Sequence, residues 1–274
     1  MPELPEVQTV LNTLQTRVMG LRIDRVEAFL PKIIKTPGPQ EFMALLEGRT
    51  ITGLGRRGKY LLVELDESYL LVIHLRMTGR LIYTNPDNPM EKHTHLVFYL
   101  SDGSELRYQD MRQFGTMNLM PLGELDAFCA SKKLGPDALD PTLNWNLFKQ
   151  RIGGRHGQIK KLLLDQSLVA GIGNIYANEI LWRARIHPER PVESLNTSEL
   201  RRLYQEMHSV LCEAIVHRGT TLRDYVDGNG NPGGFQSLLA VHGREGETCP
   251  KCGTDIVRLK TGGRSSFICP RCQR

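Results

Sequence analysis

The sequence predicts an α+β protein of several domains: an N-terminal β-sandwich with flanking helices, a helical domain and a C-terminal four-cysteine zinc ribbon. Strand-like patterns fill residues 21–120, helical patterns dominate from residue 136 to about 218, and four cysteines form two pairs near the end. The chain has 274 residues and so exceeds a typical domain of about 100–200 residues. The predicted domains span residues 1–134, 135–234 and 235–274.

The first predicted element is a helix over residues 5–19. Pro5 suits the first position of a helix, and Gly20 is a residue that commonly follows the last turn. Between them, apolar residues recur at helical spacing: Val7, Val10, Leu11, Leu14 and Val18. Residues 1–4 therefore immediately precede a helix.

Antiparallel strands are predicted from about residue 21 to 120. Apolar runs at residues 60–65, 70–75 and 96–100 are separated by turn-forming residues at Asp66-Glu67-Ser68 and Asp102-Gly103. Several such strands in succession are typical of a β-sandwich.

Helical patterns begin after Gly135-Pro136 and predict a separate domain. The clearest helix covers residues 197–217, where Asn196 and Glu199 have the spacing of a capping box. The stretch from Asp227 to Gly234 contains four glycines among eight residues. It is predicted to be a mobile loop that contributes nothing to a core.

Two Cys-x-x-Cys pairs have the spacing of a zinc site: Cys249, Cys252, Cys269 and Cys272. Four thiolates around one Zn²⁺ ion leave no open coordination position, so the predicted metal is structural. Disulfides are the alternative, but they are less consistent with a long chain that lacks a secretion signal. The remaining cysteines, Cys129 and Cys212, are predicted to be buried apolar residues.

Positive charge is concentrated at the C-terminal end. The net charge is +5, and residues 235–274 contain seven Lys or Arg against three Asp or Glu. This pattern is typical of contact with a polyanion, although a solvated basic tail is also consistent with it. The first ten residues lack a basic leader, and no run of about 18 apolar residues follows, so we expect neither an export signal nor contact with a membrane.

The opening Met1-Pro2-Glu3-Leu4-Pro5-Glu6-Val7 resembles the N-terminal signature of the formamidopyrimidine-DNA glycosylases of bacteria. Further matches to that family run in order to the final Cys-Pro-Arg-Cys-Gln-Arg: Arg57-Gly58-Lys59-Tyr60, His74-Leu75-Arg76-Met77, Arg112-Gln113-Phe114-Gly115, Leu164-Asp165-Gln166 and Gly171-Ile172-Gly173-Asn174-Ile175-Tyr176. The resemblance covers essentially the whole chain. It implies a helix–two-turns–helix element in the helical domain, and binding of damaged double-stranded DNA across the cleft between the domains.

The resemblance also implies the catalytic residues. Once Met1 is removed, the secondary amine of Pro2 would attack C1′ of the sugar, and Glu3 would assist departure of the base. Lys59 would act as a general acid, and Arg264 would assist the second elimination. Without the resemblance, Pro2 could merely favour removal of Met1, and Lys59 could be an exposed strand lysine.

Further residues are implied to contact DNA. Met77, Arg112 and Phe114 would fill the gap left by an extruded nucleotide, although without the resemblance Met77 and Phe114 would be interpreted as ordinary core residues. Contact with the DNA backbone is implied for His93, Lys160 and Asn174. Recognition of the extruded base is implied for Glu6, Thr220, Thr221 and Tyr225. Glu6 could equally be an acidic residue that stabilises a helix N-terminus, and Thr220 could simply end a helix.

The resulting hypothesis is a bifunctional glycosylase and lyase of base excision repair that removes oxidised purines. It is expected to act as a cytoplasmic monomer, associated with the nucleoid when bound to DNA, with one structural zinc and no catalytic metal. The endonuclease VIII branch, which prefers oxidised pyrimidines, is an alternative, but Leu4 and Arg76-Met77 favour the purine branch. A non-enzymatic zinc-ribbon DNA-binding protein is a second alternative. The chain departs from the family at Gln8, where an acid is usual, and we expect only an electrostatic adjustment there.

Overall fold

The computed structural model describes residues 1–66 and 68–274. These residues form two compact units. Unit 1 contains Met1–Lys132 and His217–Gln236, and unit 2 contains Lys133–Val216 and Ser237–Arg274. Glu67, in the first of the predicted turns, lies outside the described residues.

Unit 1 begins with helix α1, Leu4–Val18, close to the predicted range. Its other helices are α2, Pro39–Leu46, and α3, Leu125–Ser131. Short 3-10 helices lie at Pro31–Ile33 and Leu122–Glu124. The described residues of this unit also form nine strands: β1 Ile23–Ala28, β2 Ile34–Thr36, β3 Ile51–Arg57, β4 Tyr60–Leu65, β5 Tyr69–His74, β6 Gly79–Thr84, β7 Thr94–Leu100, β8 Glu105–Asp110 and β9 Thr116–Pro121.

The strands form two sheets around one apolar core. One sheet has the order β1-β7-β8-β6, and the other has the order β2-β9-β5-β4-β3. All pairings are antiparallel except that of β2 with β9. Core residues come from both sheets and from α1, for example Val10 of α1, Ile73 of β5 and Phe98 of β7. The predicted sandwich is therefore confirmed.

Residues 217–236 pack within unit 1, beside α1. The backbone N–H of Gly228 donates to Thr13 Oγ1 at 3.0 Å, and its carbonyl accepts from the N–H of Tyr83 at 2.9 Å. Asp227 is 1% exposed and accepts from the N–H groups of Asn229 and Asn231. The prediction that residues 227–234 contribute nothing to packing is therefore wrong for Asp227 and Gly228, because the glycine backbone approaches α1 closely where a side chain would collide with Leu14.

Unit 2 contains four α-helices and a two-stranded ribbon. The helices are α4 Trp145–Phe148, α5 Ile159–Leu164, α6 Asn174–Ala184 and α7 Thr197–Val216. The capping box of α7 is present, since Asn196 N–H donates to Glu199 and Glu199 N–H donates to Asn196, both at 2.9 Å. The ribbon strands are β10 Val257–Thr261 and β11 Arg264–Ile268.

The two remaining cysteines differ in burial. Cys129 is buried in α3, as predicted, whereas Cys212 is exposed. The prediction for Cys212 is wrong because α7 is amphipathic and its buried stripe passes through Val210, Leu211 and Ala214, which leaves position 212 on the solvent side. Among the described residues, no helix is long and apolar enough to span a membrane.

Candidate active site

The residues after Met1 form a buried, hydrogen-bonded start to α1. Pro2 is buried, and Glu3 and Glu6 are 3% and 1% exposed. The backbone N–H of Glu3 donates to Glu6 Oε2 at 2.8 Å, which fixes the peptide that follows Pro2. The contact therefore holds the peptide that joins Pro2, the predicted nucleophile, to Glu3.

Glu6 also binds the segment that returns to unit 1 after α7. Its Oε1 accepts from the N–H of Thr220 at 2.7 Å. Gly219 has a φ of +74°, and a Cβ there would lie 2.8 Å from Glu6 Oε1. Only glycine fits both constraints. Glu6 therefore bridges α1 and residues 219–220, a role beyond that of an acid at a helix N-terminus.

The predicted base-recognition residues lie together around Glu6. The Tyr225 hydroxyl is 3.3 Å from the carbonyl oxygen of Glu6, and Tyr225 is only 8% exposed. Thr221 is partly exposed. Its hydroxyl donates to the Tyr225 carbonyl at 2.9 Å and accepts from Gly233 N–H at the same distance. The structure thus brings together Glu6, Thr220, Thr221 and Tyr225, which form hydrogen bonds with one another and with neighbouring residues of unit 1.

Lys59 lies in the two-residue turn between β3 and β4. Gly58, with a φ of +57°, allows the turn, and Arg57 pairs with Tyr60 on either side of it. Lys59 is 7% exposed, so the alternative of an exposed strand lysine is wrong.

His74, at the end of β5, is held in its neutral form. Burial, together with the positive charges of Arg76 and Lys59, lowers the pKa of His74 to about 3. A neutral ring can accept a hydrogen bond, and Nδ1 accepts from the Arg76 N–H at 2.9 Å. Sequence reasoning placed His74 in a motif but assigned it no role, because burial and the neighbouring cations are tertiary properties.

The three residues predicted to insert into DNA lie on two exposed turns. Met77 is 41% exposed and Phe114 is 53% exposed, so both are unusually accessible for large apolar side chains. Arg112 is exposed as well, and its guanidinium lies 5.0 Å from the centre of the Phe114 ring. Ordinary core packing is therefore excluded for both apolar residues.

A buried carboxylate, Asp110, joins these two turns. Its Oδ1 accepts from the Thr78 hydroxyl, next to Met77, and from the Arg112 N–H at 3.2 Å. Its Oδ2 accepts from the Gly115 N–H at 2.8 Å, next to Phe114. Sequence reasoning missed Asp110 as a positioning residue, and its only sequence signal is an acid two residues before Arg112.

His93 lines a polar cavity of about 140 Å³ in unit 1. It adopts a φ of +71°, and its carbonyl accepts from the Asp110 N–H at 3.0 Å. Arg80 and Lys92 line the cavity together with the carboxylates of Glu91, Asp110 and Asp224, so its lining carries charges of both signs. Contact of His93 with a phosphate stays a prediction.

In unit 2, the turn between α5 and α6 is braced by Gln166. Its Oε1 accepts from the Gly171 N–H at 2.9 Å, and its Nε2 donates to the Ile172 carbonyl at 2.8 Å. The turn leads through Gly173 into Asn174, the first residue of α6. The Gly171-Ile172-Gly173 turn therefore lies at the start of α6.

Lys160 and Asn174 converge on the ribbon beside Arg264. The Lys160 ammonium is fully buried and donates to Asn178 Oδ1, Ser266 Oγ and the Ser265 carbonyl, at 2.7, 2.7 and 2.8 Å. Asn174 Nδ2 donates to the same carbonyl at 3.1 Å. Since an ammonium has three donors, contact of Lys160 with a phosphate requires exchange of one of these bonds. Arg264 itself is exposed.

The four predicted zinc ligands form one cluster in unit 2. All four sulfur atoms lie within 4.8 Å of one another, with Cys252 and Cys269 at 3.3 Å and Cys249 and Cys272 at 4.0 Å. Zn–S bonds of about 2.3 Å in a tetrahedron place sulfurs about 3.8 Å apart, so the cluster fits one structural zinc ion. Val241, Ile256 and Trp182 pack against it.

Gln8 accepts a hydrogen bond from Arg56 Nε at 3.0 Å through its side-chain oxygen. A glutamate here would place a carboxylate opposite the same guanidinium. The expectation that Gln8 adjusts the electrostatics near the start of α1 without abolishing the chemistry stays a prediction.

Family models match three parts of the chain. Residues 1–117 match the formamidopyrimidine-DNA glycosylase N-terminal domain, and residues 134–226 match the formamidopyrimidine-DNA glycosylase H2TH domain. Residues 246–274 match the zinc finger found in FPG and IleRS.

Curated proteins and solved structures resemble the chain over its whole length. The formamidopyrimidine-DNA glycosylase of Pelotomaculum thermopropionicum is 49% identical, covering 100% of this chain and 99% of the relative. That of Heliobacterium modesticaldum is 50% identical, covering 100% of both. A mutant of the Lactococcus lactis enzyme in complex with Fapy-dG-containing DNA has a TM-score of 0.94 and 38% identity, covering 100% of both chains. A complex of the Lactococcus lactis protein with abasic-site DNA gives the same TM-score and identity, covering 99% of both chains.

Proposed function

The chain belongs to the formamidopyrimidine-DNA glycosylase family, and we propose that it is a bifunctional glycosylase and AP lyase of base excision repair. Its proposed substrates are oxidised purines, 8-oxoguanine and formamidopyrimidines, in duplex DNA. The reaction proceeds through a Schiff base on Pro2, followed by β,δ-elimination. We further propose that the protein acts as a monomer in the bacterial cytoplasm.

The observation that carries this proposal is the buried start of α1. Pro2 and Glu3 lie next to one another, and Glu6 holds the peptide between them through a 2.8 Å hydrogen bond. A nucleophile and an acid–base group must be held in a fixed relation for covalent catalysis. The fixed Pro2–Glu3 peptide supports this pair as the reacting groups.

The proposed chemistry begins when the unprotonated Pro2 amine, exposed by removal of Met1, donates its lone pair to C1′. The bond from C1′ to the base breaks, the sugar ring opens, and Glu3 transfers the required proton. The resulting iminium acidifies the hydrogen on C2′, which leaves as a proton to a base while its electron pair forms the C2′–C3′ double bond and expels the C3′ phosphate. A second elimination, with loss of the C4′ proton, expels the C5′ phosphate. Lys59 acts as the general acid, and the permanently charged guanidinium of Arg264 stabilises the departing phosphate through hydrogen bonds.

DNA recognition is assigned to the exposed turns and to the basic residues of both units. Met77 and Phe114 present apolar surface that can fill a gap in the base stack, and Arg112 can donate to the orphaned base. His93, Lys160 and Asn174 are assigned to the DNA backbone. Lys160 contributes by holding the hairpin of Arg264.

Recognition of the extruded base is assigned to Glu6, Thr220, Thr221 and Tyr225. Their mutual hydrogen bonds support a preformed surface beside Pro2. The similarity to formamidopyrimidine-DNA glycosylases and the match at Leu4 support the proposed preference for oxidised purines over oxidised pyrimidines.

The proposal is tested by retaining an uncleaved N-terminal residue before Pro2. Because an amide nitrogen has no available lone pair, this variant should lose base excision and strand cleavage while its binding to damaged duplex survives. Borohydride should covalently trap the processed protein, but not the blocked one, on duplex containing 8-oxoguanine. Normal turnover by a protein shown by mass spectrometry to retain the extra residue would contradict the mechanism.

A panel of duplexes separates the alternatives. The purine branch should be trapped on 8-oxoguanine and formamidopyrimidine in preference to oxidised pyrimidines, and the sister branch should show the reverse order. A non-enzymatic DNA-binding protein would bind damaged duplex and would be trapped on none of them.

A further inference from the structure

A strongly basic groove lies in unit 2, at the end of the ribbon that holds the cysteine pairs. Its volume is about 690 Å³, and Cys252 and Cys272 line part of it. We call it the ribbon groove. Six cationic side chains line it: Arg185, Arg190, Arg202, Lys251, Arg271 and Arg274. Glu199 is the one acidic side chain among the described residues that line it.

Two of the cations have structural partners, and four do not. Arg190 pairs with Glu199 at 2.6 Å, and Arg202 Nε donates to the Ala184 carbonyl at 2.6 Å. The other four side chains are exposed and form no hydrogen bond or ion pair with any described residue: Arg185, Lys251, Arg271 and Arg274. The ribbon groove therefore offers four unpartnered cations.

The zinc centre accounts for only part of this positive charge. Four thiolates around one divalent ion leave about two negative charges, which Lys251 and Arg271 in the cysteine pairs can offset. Glu199 offsets Arg190. The positive charges that remain lie close together in one groove, and such an arrangement raises the local concentration of anions.

The ribbon groove is separate from the predicted DNA contact at Arg264. Arg264 lies at the hairpin tip, and the five-residue strands β10 and β11 separate the tip from the cysteine pairs. At about 3.3 Å per residue, the strands span roughly 16 Å. A phosphate bound in the ribbon groove is therefore not the one that Arg264 contacts.

We propose that the ribbon groove binds backbone phosphates of a second DNA segment, distinct from the duplex that carries the lesion. Five of its six cations are guanidinium groups, whose paired donors match phosphate oxygens. Such a site would hold the protein on DNA after it releases one segment. The inference rests on DNA binding as proposed above, but not on the Pro2 chemistry.

The experiment uses full-length, zinc-loaded protein saturated with a short duplex that contains a non-cleavable abasic-site analogue. A fluorescent undamaged duplex is then titrated, and its anisotropy is measured at several salt concentrations. The test variant combines Arg185→Gln and Arg271→Gln. The control combines Lys32→Gln and Lys133→Gln, which removes the same charge from exposed lysines outside the ribbon groove.

The saturated wild type and control should bind the second duplex, and the test variant should bind it at least about tenfold more weakly. The slope of log K against log salt should fall by about two for the test variant, since about 0.9 is lost per phosphate contact. Affinity for the abasic-site duplex should change much less. Measurements of zinc content and melting temperature check that the ribbon of the test variant is folded. If Arg271→Gln releases zinc, a variant that combines Arg185→Gln and Arg274→Gln takes its place.

Three results would overturn the proposal. The first is equal binding of the second duplex by the test variant and the control, and the second is no binding of that duplex by saturated wild type. The third is that the test variant loses affinity for tripolyphosphate or a polyglutamate peptide but keeps its affinity for DNA. That result would indicate that the ribbon groove binds a small phosphate compound or an acidic protein partner. If the protein binds DNA but does not excise bases, the proposed function is contradicted. The binding of the second duplex still tests the ribbon groove in that case.

Discussion

At the scale of single residues, burial separates side chains that support the site from those that face outward. Glu3, Glu6 and Asp110 are carboxylates with at most 3% exposure, and the latter two accept several hydrogen bonds from turns. Met77 and Phe114 are apolar and exposed. Large apolar side chains are usually buried. The exposure of Met77 and Phe114 therefore indicates that these two residues serve to bind a ligand and not to stabilise the fold.

Met77→Ala should leave folding nearly unchanged and reduce excision. An exposed side chain contributes about 0.5 kcal/mol or less to stability, whereas a core methionine contributes about 2–5 kcal/mol. We expect an almost unchanged melting temperature and about a tenfold loss of excision on a fully paired lesion duplex, equal to about 1.4 kcal/mol.

Met19→Ala is the matched control, since Met19 is 39% exposed and follows α1. It should alter neither quantity. The loss caused by Met77→Ala should shrink on duplexes in which the target is mismatched, because less unstacking energy must be recovered. A large drop in melting temperature, with equal loss of activity on all duplexes, would place Met77 in the core instead.

At the scale of elements, the ribbon depends on its metal. Only four buried residues form its apolar cluster, Val241, Cys249, Ile256 and Cys269, and two of these are zinc ligands. Such a small core cannot stabilise a hairpin alone. Lys160 and Asn174 attach this hairpin to α5 and α6 through the Ser265 carbonyl.

Cys269→Ser should release zinc, disorder the ribbon and weaken DNA binding at least tenfold, while the rest of the chain stays folded. Metal analysis, proteolysis of the C-terminal segment and DNA titration measure these effects. Cys212→Ser, at an exposed position of α7, should retain one zinc and full affinity. One equivalent of zinc in Cys269→Ser, with unchanged DNA affinity, would reject the structural role.

At the scale of the whole molecule, burial of neutral histidine makes stability depend on pH. The folded pKa of His74 is about 3, below the ordinary 6.5, so the unfolded chain binds the proton more readily. The stability from His74 is fully present above pH 6.5 and is lost as the pH falls from 6.5 towards 3. Between pH 7 and pH 5 the loss is about 2 kcal/mol.

His74→Asn should therefore flatten the pH dependence of the free energy of unfolding by about 2 kcal/mol between pH 7 and 5. Urea denaturation at pH 7, 6 and 5 measures this difference. His156→Asn, which replaces a histidine side chain that is 89% exposed, should keep the wild-type slope. Identical slopes for His74→Asn and wild type would show that His74 does not change protonation on unfolding over this range.

Local and periodic signals determined much of the architecture from sequence alone. Helix α1, strand β4, the capping box of α7 and the four-cysteine cluster agree with their predicted positions, because apolar spacing, cap residues and ligand spacing act over a few neighbouring residues. The resemblance in motif residues also identified the family, which the family models confirm.

Long-range packing decided the rest. The attachment of residues 217–236 to unit 1, the bridge from Glu6 to Thr220, the burial of Lys59 and Lys160, and the ribbon groove all join residues far apart in the chain. No local pattern encodes such contacts, because burial of a charged or glycine-rich segment depends on which distant partners satisfy its polar groups. The sequence by itself therefore determined the elements, the metal ligands and the family, and only the tertiary structure decided which side chains support the site and which remain open to a ligand.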